Sequence, residues 1–307
     1  MPSFNRQRVA LLGLGLISGS LALALRQAGF PGELIGWGPR EPSLQRGLAL
    51  GVIDRYTLDL NEVVAQSDLI VVGAPPIATG ELLATLLPLA AQSVHQPIVT
   101  DLASIKGWVI EAATHDYPGY VPGHPIAGSE NSGVGAARGD LFAGREIILT
   151  PSHRTDQQAL EQVAAMWELT RARVTSMSVQ DHDAALAASS HSPHMLAYAL
   201  TMALADDPLD PMQHGGGALR DMTRIAGSDP IMWRDIALTN RDALLTAMTA
   251  VEGEITALKS LIAAQDGEGL KEYFARCREV RRSHDAVLNP LFDEGPCGDP
   301  QEEKIKS

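Results

Sequence analysis

The 307 residues carry 24 Lys and Arg against 37 Asp and Glu, a net charge of -13, with 45% hydrophobic and 20% charged side chains. Such a chain has enough apolar surface for two domains of ordinary size, and its acidity excludes nucleic acid and anionic membranes as principal partners. Its two cysteines, Cys277 and Cys297, have neither metal-ligand spacing nor disulfide-scaffold density and are read as reduced thiols of a cytoplasmic protein.

The apolar opening resembles a secretion signal only in composition. Gly13, Gly15, Ser18 and Gly19 interrupt it, as strand, tight turn and helix require. Strands are predicted at 9–12, 33–37, 68–73 and 97–101, alternating with helices at 16–28, 42–50, 78–91 and 106–115. Residues 120–121 and 146–150 are expected to close this parallel sheet. Beyond residue 155 the apolar period becomes about 3.6, apart from a strand at 172–175, and long helices are predicted over 179–205, 211–226 and 230–265. The run 184–205 is long enough to raise a membrane span, but His191, Pro193 and His194 within it favour a buried, kinked helix. The fold class is an α/β Rossmann-type dinucleotide-binding domain, residues 1–152, followed by an all-α helical domain, 153–293, and a disordered tail, 294–307.

Gly13-Leu-Gly-Leu-Ile-Ser18 follows a strand and opens a helix, where helix-end N–H groups receive a pyrophosphate. Ser18 replaces the third glycine of that pattern, and Gly19 is placed to take over part of the close approach. Gly13, Gly15, Leu16, Ile17 and Ser18, with Ala74 and Pro75 after a later strand and Asp101 at the end of the next, form the expected cofactor cradle. At the end of the second strand Gly38 stands where NAD-binding domains place a carboxylate, and Arg40 lies two residues on. A guanidinium suits a 2′-phosphate, so NADP is favoured over NAD, although Glu41 offers a route back to the ribose.

Asp101-Leu-Ala-Ser-Ile-Lys106 ends a late strand. Ser104 is read either as a hydroxyl facing substrate or His124, or as the N-cap of the next helix. Asp101 and Lys106 are expected to form an ion pair. Gly123-His-Pro-Ile-Ala-Gly-Ser-Glu130 presents His124 on a stiff loop beside the cofactor, and an imidazole suits proton transfer near neutrality. Arg224 is a candidate anion ligand, its alternative an ion pair with Asp221 or Asp229. Arg220 completes the positive pocket or forms an ordinary salt bridge. His182, His191 and His194 lack the further ligands that a metal site needs, so no metal is expected.

These stretches, with His191-Ser-Pro-His194 and Thr223-Arg-Ile-Ala-Gly-Ser-Asp-Pro-Ile-Met-Trp-Arg-Asp235, together resemble the prephenate/arogenate (cyclohexadienyl) dehydrogenase family. The resemblance implies oxidative decarboxylation of prephenate to 4-hydroxyphenylpyruvate, or of arogenate to tyrosine, with NAD(P). It implies His124 as the base on the 4-hydroxyl, Ser104 as its aid, and Arg224 on the ring carboxylate. It further implies His194 at the substrate side chain, Ser129 and Glu130 beside the substrate, Trp233 reaching across a dimer interface, and a homodimer built through the helical domain. An imidazole at the side chain weakly favours the keto acid, prephenate. Regulatory or mutase domains found in some members do not fit this length, so any tyrosine inhibition is expected at the active site. The rivals are a 3-hydroxyacid dehydrogenase, whose lysine is missing from 179–195, and a nucleotide-binding sensor without chemistry.

Overall fold

The computed structural model describes residues 3–128 and 131–288. The chain divides into two compact units, residues 1–251 and 252–307. In the first, six parallel strands lie in the order β3-β2-β1-β4-β5-β6. They are β1 (Arg8–Leu12), β2 (Glu33–Trp37), β3 (Arg55–Thr57), β4 (Leu69–Val72), β5 (Ile98–Asp101) and β6 (Tyr120–Val121). The crossovers are α1 (Leu16–Gln27), α2 (Glu41–Ala49), α3 (Leu60–Gln66), α4 (Pro76–Gln92) and α5 (Gly107–Ala113). Alternate residues of the central strands serve opposite faces. Val9, Leu11, Leu69 and Val71 enter one core, and Ala10, Leu12, Ile70 and Val72 the other. Burial on both faces explains why these strands read as continuous apolar runs.

Strand order reverses between β1 and β4, and ligands of such sheets bind at the carboxyl ends flanking that switch. Gly13 sits there with φ of +90°, and a Cβ on it would lie 2.3 Å from the Gly73 carbonyl oxygen. Glycine is required on both counts. Gly15, the N-cap of α1, has open space around its Cα, and neither a capping side chain nor an acid occupies the first turn.

Three elements were not legible in the sequence. β3 and α3 are short and only partly buried, so their apolar period is weak. The third is β7 (Gly123–Pro125), which pairs antiparallel with β8 (Glu146–Leu149), itself parallel to β9 (Arg173–Ser176). The expectation that 146–150 closes the main sheet is therefore corrected. Pro122 separates β6 from β7, and β8 belongs to a second, three-stranded sheet.

The boundary expected at 152/153 also moves. α6 (Gln157–Leu169) contributes Ala159, Val163, Met166 and Trp167 to the sheet-domain core, and β9 completes the second sheet. Helical structure then continues through α7 (Val179–Leu186), a π-turn at Ala187–His191, and α8 (Ser192–Ala205). Pro193 has no N–H to continue the α-helical ladder, which accounts for the wider turn just before it.

The segment 211–226 is a 3-10 turn, α9 (Gly217–Thr223) and another 3-10 turn rather than one helix. The helix expected over 230–265 breaks at Asn240 into α10 (Pro230–Thr239) and α11 (Arg241–Ala263). α12 (Gly267–Ser283), N-capped by Asp266, and α13 (Asp285–Leu288) follow. The tail 294–307 lies outside the described residues. Among the described residues no helix is long and apolar enough to cross a membrane.

Replacing Gly13 with Ala forces a side chain into the Gly73 carbonyl at a left-handed φ. We expect a loss of about 1–3 kcal/mol in urea unfolding together with weakened dinucleotide binding; an unchanged variant would show that β1 and β4 do not approach this closely.

Candidate active site

The carboxyl ends of β5 and β6 are locked by a buried polar cluster. Lys106 and Asp101 are both fully buried and form an ion pair, as expected from their spacing. Lys106 Nζ also donates to the Gly123 carbonyl at 2.6 Å. Asp101 accepts from the Tyr120 hydroxyl at 2.7 Å and from the Ala103 N–H at 2.8 Å. Burial lowers the Lys106 pKa despite Asp101 beside it, and burial followed by the Asp101 charge pushes the Tyr120 phenol well up. Asp101 is fully buried with both oxygens engaged, and it fixes the loop that precedes His124.

His124 is 8% exposed and lies on β7 opposite Ile148, on a strand rather than a loop. Its Nδ1 is 2.9 Å from Nε2 of His182, a fully buried histidine on α7. His182 Nδ1 is in turn 2.8 Å from Asp183 Oδ1. The Asp183 carboxylate receives the Lys106 and Gly107 N–H groups at 2.9 and 2.8 Å. Burial opposes ionisation of Asp183, but the His182 hydrogen bond and these two backbone N–H groups outweigh it and lower its pKa.

An ionised carboxylate only accepts, so a neutral chain has a single tautomer assignment. His182 donates from Nδ1 and accepts at Nε2; His124 donates from Nδ1, which leaves a lone pair on its own Nε2. Burial, then the His182, Lys106 and His191 charges, hold the His124 pKa well below the ordinary value. The imidazole is accordingly neutral, with its Nε2 lone pair unprotonated. His182 entered the sequence reading only in a rejected metal set, and Asp183 was missed. An Asp-His-Asp run on a helix shows its partners only once β7 is placed against it.

Ser104 is half-buried in the turn after β5 and makes no hydrogen bond to His124. Nor does it cap α5, whose N-cap is Lys106 without a side-chain cap and whose first N–H groups go to Asp183.

His194, Trp233 and Arg224 come together. The His194 ring stacks on Trp233 with centroids 3.6 Å apart, and His194 Nδ1 donates to the Ser190 carbonyl at 2.9 Å. Burial, with the nearby Arg224 charge, lowers the His194 pKa. Asp221 pairs with Arg220, and Asp229 caps α10. Arg220 is a surface residue, its side chain 78% exposed and paired to its neighbour, and does not complete the pocket.

Trp233, expected to reach across a dimer interface, is 7% exposed. It packs with Ile105, Ile236 and Met195 of its own chain, because α10 lays its apolar side against α5 and α8. His191 is buried beside it, bonded to Asn240 at 3.2 Å. Ser129 and Glu130 lie outside the described residues.

The cofactor cradle fits a dinucleotide. α1 offers uncapped N–H groups behind the open Gly15, and Leu16 and Ile17 begin that helix. Ser18 is buried with its Oγ unpartnered and closes on Gly73, ahead of Ala74 and Pro75. At the second strand Arg40 is exposed at the N-cap of α2, while Glu41 accepts from the Tyr56 hydroxyl at 2.8 Å.

Residues 21–176 match the model of the prephenate dehydrogenase nucleotide-binding domain, and 178–276 that of the prephenate dehydrogenase dimerization domain. The chain belongs to the prephenate dehydrogenase family. The cyclohexadienyl dehydrogenase of Zymomonas mobilis is 34% identical over 90% of this chain and 95% of its own length. The prephenate dehydrogenase of Bacillus subtilis is 35% identical over 90% of this chain and 76% of its own. A solved prephenate dehydrogenase from Aquifex aeolicus, in complex with hydroxyphenyl propionate and NAD+, superposes with a TM-score of 0.86 at 34% identity, covering 92% of this chain and all of that one. The protein is a dehydrogenase of this family, with its dinucleotide-binding and helical parts in the expected order.

Burial pushes the His191 pKa down to about 4, whereas the unfolded side chain titrates near 6.5. The unfolded chain therefore binds more protons between those values, and stability falls as pH falls through that window. We expect His191 alone to remove about 3 kcal/mol from pH 7 to pH 4, read by urea unfolding across the range; a flat profile would contradict a buried neutral imidazole.

Proposed function

We propose that the protein oxidises prephenate to 4-hydroxyphenylpyruvate, with arogenate as the alternative substrate, in the synthesis of tyrosine. The observation that carries this reading is the Asp183–His182–His124 chain, which leaves the His124 Nε2 lone pair for the substrate. A bound nicotinamide supplies the hydride acceptor. As hydride leaves C4, His124 Nε2 takes the 4-hydroxyl proton, and His182, backed by the Asp183 carboxylate, stabilises the imidazolium. Arg224 holds the ring carboxylate through two parallel hydrogen bonds until it departs as carbon dioxide. The proton then returns from His124 to the phenolate oxygen. Ser104 steadies the hydroxyl, and His194, held flat by Trp233, meets the side-chain carbonyl of the keto acid.

Two further features support finer readings. Glu41 is engaged by Tyr56, whereas Arg40 is exposed at the N-cap of α2, two residues past Gly38, which supports NADP over NAD. Outward-facing Met202, Ile231, Leu238 and Leu245, 50–62% exposed on α8, α10 and α11, support a homodimer through the helical segment.

His124→Asn is expected to bind dinucleotide normally and to lose turnover with prephenate. Asp183→Asn should lower kcat by about 10²–10³-fold with little change in KM, since it removes the charge behind the relay. Steady-state kinetics with fluorescence binding of the dinucleotide separates the two effects, and full activity in Asp183→Asn would remove the relay. For Arg40→Ala, the ratio of kcat/KM for NADP to that for NAD should fall about tenfold; an unchanged ratio would assign the arginine to solvent.

A further inference from the structure

Asn240 is a buried amide at the break between α10 and α11, and the mechanism makes no use of it. Its Nδ2 donates to the main-chain carbonyl of Asp183 at 2.9 Å and lies 3.2 Å from Nδ1 of His191. A main-chain carbonyl only accepts, so the amide atom that faces it is the nitrogen, and that nitrogen has an N–H for each of its two neighbours. His191 Nδ1 therefore accepts, which puts the proton of the neutral ring on Nε2. The three imidazoles around it are the other way round. His124, His182 and His194 carry their protons on Nδ1, directed at His182, at Asp183 and at the Ser190 carbonyl.

A protonated His191 would turn an N–H onto the Asn240 N–H, so the amide resists that charge. Three titratable groups also face His191: Asp183 and His182 from α7, and His194 from α8. Burial and the two histidines outweigh the Asp183 carboxylate and hold the His191 pKa down at about 4. Its neutrality matters to the base, because a cation at His191 opposes protonation of His124, as do cations at His182 and Lys106. The amide is itself held from both sides. Asn240 N–H donates to the Ile236 carbonyl on α10, and its carbonyl accepts from the Leu244 N–H on α11, both at 3.0 Å.

We propose that Asn240 is a positioning residue for the base. One amide nitrogen fixes His191 in the tautomer that accepts at Nδ1 and refuses a second proton. The same nitrogen holds the backbone of Asp183, whose carboxylate stands behind His182 and His124. When His124 takes the proton of the substrate hydroxyl, the only new positive charge in the cluster is its own, and Asp183 is in place to balance it. The effect on turnover rests on the role assigned to His124, whereas the tautomer of His191 does not.

The test is nitrogen NMR of the full chain labelled in its histidine rings, with His191→Gln to assign the resonance, paired with steady-state kinetics. At neutral pH we expect His191 to show a protonated Nε2 and a bare Nδ1, and His124, His182 and His194 to show the reverse. Asn240→Asp keeps the size of the side chain and exchanges its N–H donors for an acceptor. In that variant His191 should take up a proton and titrate above the ordinary value of about 6.5. Its kcat with prephenate should fall about ten- to a hundredfold, with little change in KM or in dinucleotide binding. A role in packing alone would leave both the resonance and kcat close to wild type. The proposal is overturned by a wild-type His191 with its proton on Nδ1, by a neutral His191 in Asn240→Asp, or by wild-type kcat in that variant. The wild-type spectrum decides the tautomer even if the variant folds poorly. Should His124→Asn keep its turnover, the role of His124 falls and takes the kinetic part of the proposal with it, while the His191 spectra still judge the hold of Asn240 on His191.

Discussion

One carboxylate, that of Asp183, ties the α/β part of the chain to the helices that follow it. It terminates α5 by taking the N–H groups of Lys106 and Gly107, and it holds His182, which holds His124. Its main-chain carbonyl accepts from Asn240 at 2.9 Å, the residue at which α10 ends. A charged acceptor with several N–H donors is worth considerably more than a neutral hydrogen bond. The position of His124, the start of α5 and the end of α10 are therefore set by a single residue. This helps explain why α7 to α10 belong to the same compact unit as the sheet.

A second buried cluster works from the other side. Asp101 and Lys106 would each be costly to bury alone, and pairing offsets part of that cost only because the Tyr120 hydroxyl, the Ala103 N–H and the Gly123 carbonyl satisfy the remaining valences. The gain is positional as much as energetic. Lys106 anchors the residue next to His124, and its charge, after burial and His182, helps keep that imidazole unprotonated. Both clusters thus serve one end, a neutral histidine of fixed tautomer at the carboxyl edge of a dinucleotide-binding sheet.

Around the substrate end the logic is different. His194 lies flat on Trp233, and its Nδ1 is committed to the Ser190 carbonyl, so its Nε2 has a defined direction. The π-turn before Pro193 brings His191 and His194 to the same indole, His191 at 6.1 Å edge to face. Here a proline placed for its missing N–H determines which faces of a helix carry the chemistry.

The alternation of strands and helices, the glycine loop and the pairing of Asp101 with Lys106 were legible in the sequence, because each rests on local periodicity, φ requirements or spacing within a few residues. What tertiary structure decided lies between distant segments: β7 leaving the main sheet for β8, α6 and β9 joining the sheet domain, Trp233 turning into its own chain, Arg220 turning to solvent. His182 and Asp183 belong to this second group, 58 and 59 residues from His124. Nothing in a stretch of helix reveals which strand it packs on, and a histidine becomes a relay only when burial and a facing partner fix its proton.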